Sequence, residues 1–98
     1  MIPHNESTDR LFSAVAALRT PEECYRFFED LCTIKEIRDM AQRLEAAVLL
    51  YGGGSYQEVG EKVGLSSATI CRVNKCLHYG EGGYRAAIEK LKADGEPR

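Results

Sequence analysis

One segment of the chain, residues 66–79, holds side chains suited to an anionic polymer and contains no acidic residue. Arg72 and Lys75 supply its positive charge, and Thr69 offers a hydroxyl and a methyl group. Such cations bind bases or phosphates, and threonine can bond a base edge or contact the methyl group of thymine. Its first residues are small enough to approach base edges closely: Ser66, Ser67, Ala68 and Thr69. The composition predicts contact with DNA.

The same two cations have a simpler interpretation, because an isolated Arg72 or Lys75 more often solvates a surface. The surrounding motif favours DNA over that interpretation. Residues 57–77, read QEVGEKVGLSSATICRVNKCL, have the spacing of a helix-turn-helix. Two tightly packed helices need apolar residues at five places, and all five are present: Val59, Val63, Leu65, Ile70 and Val73. Gly60 supplies the very small residue at the crossing, and Gly64 suits the turn.

Capping residues place the two motif helices more closely. Ser55 with Glu58 predicts a capping box before the first helix, and Ser66 predicts a cap before the second. The second helix, residues 67–79, is the predicted reader. Ser55 and Gln57, with the free amides of the first helix, suit a DNA phosphate.

The bulk composition allows this prediction but does not make it. The chain has 98 residues and a net charge of −2, so a positive face must be local rather than global. No apolar run is long enough to cross a membrane, and no secretory signal is visible at the start, so we expect a cytoplasmic protein without a membrane partner. A chain this short buries a limited core, and oligomerisation is a common way to add buried area.

The rest of the chain reads as helices. A first helix is predicted over residues 11–19, capped by Ser7 or Thr8. Thr20-Pro21 and Thr33 open two further helices with capping boxes, and the second of these runs to residue 50 or 51. The glycines at 52–54 then stop it, since three glycines cost too much backbone entropy to stay helical. They lack the lysine and the preceding strand of a phosphate-binding loop.

A last amphipathic helix is predicted over residues 84–93, with Ala87, Ile88 and Leu91 turned inward, followed by a polar tail at 94–98. The predicted fold class is therefore all-α, with about six helices. We expect a single domain over residues 1–98. It divides into a helical dimerisation platform (1–54), the helix-turn-helix (55–79) and the closing helix (84–93).

The four cysteines form no Cys-x-x-Cys pair. Their simplest interpretation is as small buried apolar residues in a reducing cytosol. A metal site that includes His78, or a redox switch, stays open as an alternative. We predict no metal site and no cofactor.

Two other classes of function compete with DNA binding. A helical protein-interaction module could use the helix-turn-helix for packing alone, without direct DNA readout. An enzyme is the third class, but no nucleophile–base pair or paired carboxylates stand in a supporting motif, so no catalytic residue is predicted.

The chain resembles the Trp repressor superfamily, and more closely its YerC/YecD branch. The resemblance covers about residues 11 to 92 and rests on particular residues: Leu31, Thr33, Glu36, Arg43, Ser55, Ala68, Thr69, Ile70 and Arg72. It implies a six-helix Trp-repressor-like fold in an intertwined homodimer, with two reading heads on successive major grooves. It also implies a transcriptional regulator, a repressor more than an activator, on a palindromic operator in double-stranded DNA.

The resemblance also implies an effector pocket. Its positions here are Thr33, Arg43, Arg72 and Val73, and Arg43 aligns only with a one-residue gap near the triple glycine. Tryptophan-responsive members have glycine where this chain has Val73, and a hydroxyl where it has Cys71. A branched side chain at Val73 fills the space that an indole would need. We therefore predict that tryptophan is not the effector, and the small-molecule effector, if there is one, is unknown.

Overall fold

The computed structural model describes residues 1–95 and contains six α-helices there, with no strand in that range. The helices are α1 (Glu6–Ala16), α2 (Pro21–Leu31), α3 (Ile34–Tyr51), α4 (Tyr56–Val63), α5 (Ser67–Tyr79) and α6 (Gly83–Ala93). This confirms the predicted all-α class. The chain divides into two compact units, Met1–Ile37 and a second that begins at Arg38, which are described separately.

The first unit holds α1, α2 and the start of α3. The α1 helix begins five residues before the predicted start, and Asn5 rather than Ser7 or Thr8 is its cap. The Asn5 side chain accepts from the Thr8 amide at 3.0 Å, and the Thr8 hydroxyl accepts from the Asn5 amide at 3.0 Å. This pair satisfies two amides at the helix start, as a capping box does.

The other two helix starts of this unit follow the prediction. Thr20 and Glu23 form a capping box around Pro21. Thr33 accepts from the Glu36 amide at 3.1 Å, and Glu36 accepts from the Thr33 amide at 2.8 Å.

No residue of the first unit is buried within the chain. Several of its large apolar side chains are half exposed or more, with Tyr25 at 74% and Ile34 at 73%. Phe12 and Leu31 are also exposed. Three helices with this much apolar surface do not make a core by themselves, and such surface commonly marks an interface.

The second unit contains the core. Its buried residues come from the last part of α3, from α4 and α5, and from one position on α6: Ala46, Ala47, Val48, Leu50, Val59, Ile70, Val73, Leu77 and Ile88. The helical spacing of these residues places one stripe of each helix against the others. This packing sets the positions of α4 and α5.

The link between α3 and α4 is a tight glycine turn. Gly53 has a φ of 99°, a left-handed conformation that favours glycine. A Cβ atom at Gly54 would lie 2.9 Å from Val59 Cγ2 and 3.1 Å from the Leu49 carbonyl oxygen. The predicted helix stop is confirmed, and Gly54 also allows α4 to approach the end of α3.

The closing helix α6 begins at Gly83, one residue before the predicted start, and ends at Ala93. Ile88 is buried and Leu91 is half-buried, but Ala87 is exposed, so the prediction that it faces inward is wrong for this chain alone. The predicted polar tail follows α6, and its residues 96–98 lie outside the described residues.

Two polar contacts tie α6 to the rest of the unit. The Tyr51 hydroxyl donates to Glu89 Oε2 at 2.6 Å, and the Lys92 ammonium lies 5.1 Å from the centre of the Tyr51 ring. At the end of α5, Arg85 Nε donates to the Leu77 carbonyl oxygen at 3.1 Å.

The cysteines do not behave as predicted. Cys24, Cys71 and Cys76 are exposed and Cys32 is half-buried, all as free thiols. The interpretation as buried core residues is wrong for three of them, because each lies on a helix side that faces away from its own unit. Among residues 1–95, no group of side chains could hold a metal ion, and no helix is long and apolar enough to span a membrane.

Candidate nucleic-acid interface

The first motif helix, α4, begins as the sequence predicts. The Ser55 side chain accepts from the Glu58 amide at 3.1 Å, and the Glu58 carboxylate accepts from the Ser55 amide at 3.4 Å and from the Ser55 hydroxyl at 3.1 Å. The capping box leaves the other amides of the first turn without partners inside the helix. Ser55 and Gln57 are both exposed at this end, and Gln57 Nε2 lies 3.4 Å from Glu61 Oε2.

The turn between the two motif helices depends on two glycines. Gly64 has a φ of 74° and its amide bonds the Gly60 carbonyl oxygen at 2.9 Å, a left-handed helix end that glycine adopts without strain. A Cβ atom at Gly60 would lie 3.2 Å from the Leu65 carbonyl oxygen and 3.6 Å from Ile70 Cγ1. The prediction that Gly60 marks the crossing of the helices is confirmed.

The predicted apolar positions of the motif lie inside. Val59, Ile70 and Val73 are buried, and Val63 and Leu65 are half-buried against them. Because these side chains come from both helices and from the turn, they fix the angle between α4 and α5.

The outer side of α5 carries most of the predicted contact residues. Ser67, Ala68, Arg72 and Lys75 are exposed, whereas Thr69 is half-buried. Ser66 caps the helix, accepts from the Thr69 amide at 3.2 Å and donates from its hydroxyl to Thr69 Oγ1 at 3.0 Å. The hydroxyls of Ser66 and Thr69 are therefore less free than the sequence suggested.

The electrostatic character of this side is positive. The first turn of α5 has no acidic residue, so the helix amides there meet no carboxylate on their own helix. Arg72 and Lys75 form no hydrogen bond or ion pair within residues 1–95. A free helix start followed by two unpaired cations is suited to phosphate or to base edges.

Two hydrogen bonds of this site were not predicted. Asn74 Nδ2 donates to the Tyr56 hydroxyl at 2.7 Å, and Gln42 Nε2 donates to the Val63 carbonyl oxygen at 3.0 Å. They join residues 18 and 21 positions apart, so no local sequence signal marks them.

The four positions of the implied effector pocket differ in their surroundings. Val73 is 3% exposed and belongs to the core, which places its side chain among packed apolar groups. Arg43 and Arg72 are exposed and have no partner among the described residues. Thr33 accepts from the Glu36 amide as the cap of α3. Each position is thus accounted for by packing, solvation or capping in the protein alone.

A family model described as Trp repressor protein matches residues 6–92 of the chain. The chain belongs to the Trp repressor family. That family is one of DNA-binding regulators rather than of enzymes. The six-helix fold with its helix-turn-helix is the Trp-repressor-like fold that the sequence predicts.

Individual relatives support the same placement. The chain is 49% identical over 84 residues to YerC of Bacillus subtilis (strain 168), described as uncharacterized, and the match covers 86% of this chain and 81% of YerC. A TrpR-like protein from Eubacterium eligens ATCC 27750 superposes with a TM-score of 0.85 at 43% identity, covering 90% of this chain and 91% of that one. A proposed Trp repressor from Staphylococcus aureus gives a TM-score of 0.85 at 37% identity, covering 91% and 89%. The chain thus belongs to a YerC-like branch of the family.

Proposed function

We propose that this protein is a sequence-specific DNA-binding regulator of transcription, acting more as a repressor than as an activator. The observation that carries the proposal is the outer side of α5, where Ser67, Ala68, Arg72 and Lys75 are exposed and no acid follows in the helix. In this proposal the start of α5 enters the major groove, and its small side chains let the backbone approach base edges.

The remaining contacts go to the DNA backbone. Ser55 and Gln57 lie at the start of α4, where the helix amides and dipole favour a phosphate. Ser66 and Thr69, which bond each other, hold the start of α5 and can still offer an oxygen or a methyl group to the DNA. Lys75, two turns along α5, serves a phosphate, and Arg72 serves a base or a phosphate.

We propose further that the protein acts as a homodimer on a palindromic operator. The first unit has no buried residue, and its exposed side chains Tyr25 and Ile34 are large and apolar. On α3, Met40 and Leu44 are also exposed. An intertwined partner would cover such a surface, and twofold symmetry would present two α5 helices to two half-sites.

Tryptophan is not the effector in this proposal. Val73 is buried in the core of the second unit, where a glycine would leave space. The free guanidinium groups of Arg43 and Arg72 then serve DNA or solvent rather than an indole.

The decisive experiment is selection of bound sequences from a pool of random duplex DNA. The wild-type protein should enrich a palindromic motif. Arg72→Ala should lose that enrichment, and the control Lys90→Ala, which removes one exposed positive charge from α6, should keep it. Absence of any enriched sequence, together with no salt-dependent retention on heparin, would support the competing role as a protein-interaction module.

A further inference from the structure

The exposed side of the helix-turn-helix is closed by one hydrogen bond between its two helices. Asn74 on α5 donates from Nδ2 to the hydroxyl of Tyr56, the first residue of α4, at 2.7 Å. Tyr56 is 47% exposed, so its ring is not a core residue. Val59 and Val73 pack the two helices on their buried side. The Tyr56–Asn74 bond links them where solvent, or a ligand, can reach.

This bond lies beside the residues that the proposed function assigns to DNA. On an α-helix, positions separated by four and seven residues share one side. Ser67, Cys71 and Asn74 have that spacing on α5, so Asn74 continues the row that begins at the exposed Ser67. On α4, Tyr56 stands between Ser55 and Gln57, the two proposed phosphate contacts. Both ends of the bond thus border the proposed DNA surface.

The chemistry of the hydroxyl follows from its partner. A tyrosine hydroxyl has one donor proton and two acceptor lone pairs. The Asn74 amide occupies a lone pair, and the proton has no acceptor among residues 1–95. A donor that accepts from an amide becomes a stronger donor through polarisation. The group is therefore oriented, polarised and free to donate to an anion.

We propose that the Tyr56 hydroxyl donates a hydrogen bond to a phosphate oxygen of the DNA backbone, and that Asn74 is the residue that positions it. The inference rests on the proposed function and adds a named contact to it. Because the donor is neutral, it releases no counterion when it binds. It also carries no sequence information, since phosphates are the same in every sequence.

The test compares Tyr56→Phe with the wild type by fluorescence anisotropy on a selected operator duplex and on a duplex of random sequence. The variant keeps the ring and removes only the hydroxyl. We expect affinity to fall by roughly tenfold, the usual effect of losing one hydrogen bond to a charged group. The fall should be equal on both duplexes, and the slope of log affinity against log salt should stay unchanged. Tyr79→Phe, at the exposed end of α5, is the matched control and should bind like the wild type.

Variants of Asn74 test the positioning role. Asn74→Ala should weaken binding by a smaller factor than Tyr56→Phe, and the double variant should bind no more weakly than Tyr56→Phe alone. In Asn74→Asp the carboxylate can only accept, so it takes the Tyr56 proton and should abolish the contact while the helix–helix bond remains. In the Tyr56→Phe background the Asp substitution should add only its charge repulsion.

The outcomes separate this inference from the proposed function. If the wild type binds no DNA, both fail. If the wild type binds and Arg72→Ala weakens it, but Tyr56→Phe binds like the wild type, the phosphate contact alone is rejected. Unequal losses on the two duplexes would overturn the assignment to phosphate. A loss of affinity that matches a lower melting temperature, and that Asn74→Asp does not reproduce, would assign the bond to structure only.

Discussion

The side-chain amide of Gln42 donates a hydrogen bond of 3.0 Å to the carbonyl oxygen of Val63, the last residue of α4. The last carbonyls of a helix have no partner inside it, so this bond satisfies one of them. It also joins the middle of α3 to the turn of the helix-turn-helix. The reading head is thus attached to α3 by a polar contact as well as by the core.

Gln42→Ala should lower the free energy of unfolding by about 1 kcal/mol, because the part-buried Val63 carbonyl loses its donor. Urea unfolding followed by circular dichroism measures the change. Gln57→Ala is the matched control, since that side chain is exposed and its contact with Glu61 is long at 3.4 Å. Equal stability of the two variants would contradict a structural role for the Gln42 bond.

Gly60→Ala should destabilise the protein although alanine favours helices. The added Cβ would lie 3.2 Å from the Leu65 carbonyl oxygen, which belongs to the fixed turn. Overpacking of this kind costs about 1–3 kcal/mol, against a gain of about 1 kcal/mol from helix propensity. We expect a net loss of about 1 kcal/mol in urea unfolding.

Gly83→Ala is the control for Gly60→Ala, because a Cβ atom there meets nothing within 4 Å and its φ is not positive. It should leave stability unchanged or raise it by about 0.4–1 kcal/mol. If Gly60→Ala is as stable as Gly83→Ala, the two motif helices do not cross as tightly as described.

Local sequence signals predicted the helix starts well. Thr20, Thr33 and Ser55 each bond an amide three residues later, so the necessary information lies within one turn of chain. The start of α1 was missed for a related reason. Asn5 and Thr8 form a capping box in which threonine replaces the usual glutamate, and the apolar pattern begins only later.

The contacts between helices could not be predicted in the same way. The Tyr56–Asn74 bond depends on the angle at which α4 and α5 cross, and the exposure of Cys71 and Cys76 depends on which side of α5 faces the core. Periodicity defines an apolar stripe but not its neighbours. The contact residues on α5 could be named from the sequence only because the turn motif fixes which side of that helix is free.

Stability should decrease above pH 10 through Tyr51. The hydrogen bond to Glu89 raises the pKa of Tyr51 above 10.0, and burial and the charge of Glu89 act in the same direction, while Arg85 opposes them. A raised pKa in the folded protein means a contribution that is complete below pH 10 and is lost as pH rises through the folded pKa.

Urea unfolding at pH 8 and at pH 11 tests this dependence. Tyr51→Phe should have a smaller difference between the two pH values than the wild type. Tyr79→Phe removes an exposed tyrosine and should behave like the wild type. The same pH difference in all three proteins would show that Tyr51 is not the responsible group.

L-Tryptophan should neither bind the protein nor change its affinity for DNA. Val73 is buried and leaves no room for an indole without displacing core side chains. Isothermal titration calorimetry should give only heats of dilution, with DNA binding by the same preparation as proof of active protein. Saturable binding at micromolar concentrations would reject the prediction.

Ile34→Glu should dissociate the proposed dimer while leaving the single chain's own contacts intact. Ile34 is 73% exposed at the first position of α3, where an acidic side chain suits the helix dipole. Sedimentation velocity should show a shift from dimer to monomer. Ser7→Glu places the same charge at an exposed position in the first turn of α1 and should stay dimeric. A monomeric wild type would reject the dimer itself.

The lack of any buried residue in Met1–Ile37 has a consequence for gene dosage. If a second copy supplies the missing core, assembly follows mass action, and at low abundance the active form scales with the square of protomer concentration. A twofold change in synthesis would then alter the active form by about fourfold. A threshold response to expression level would be built into three helices that make no base contact.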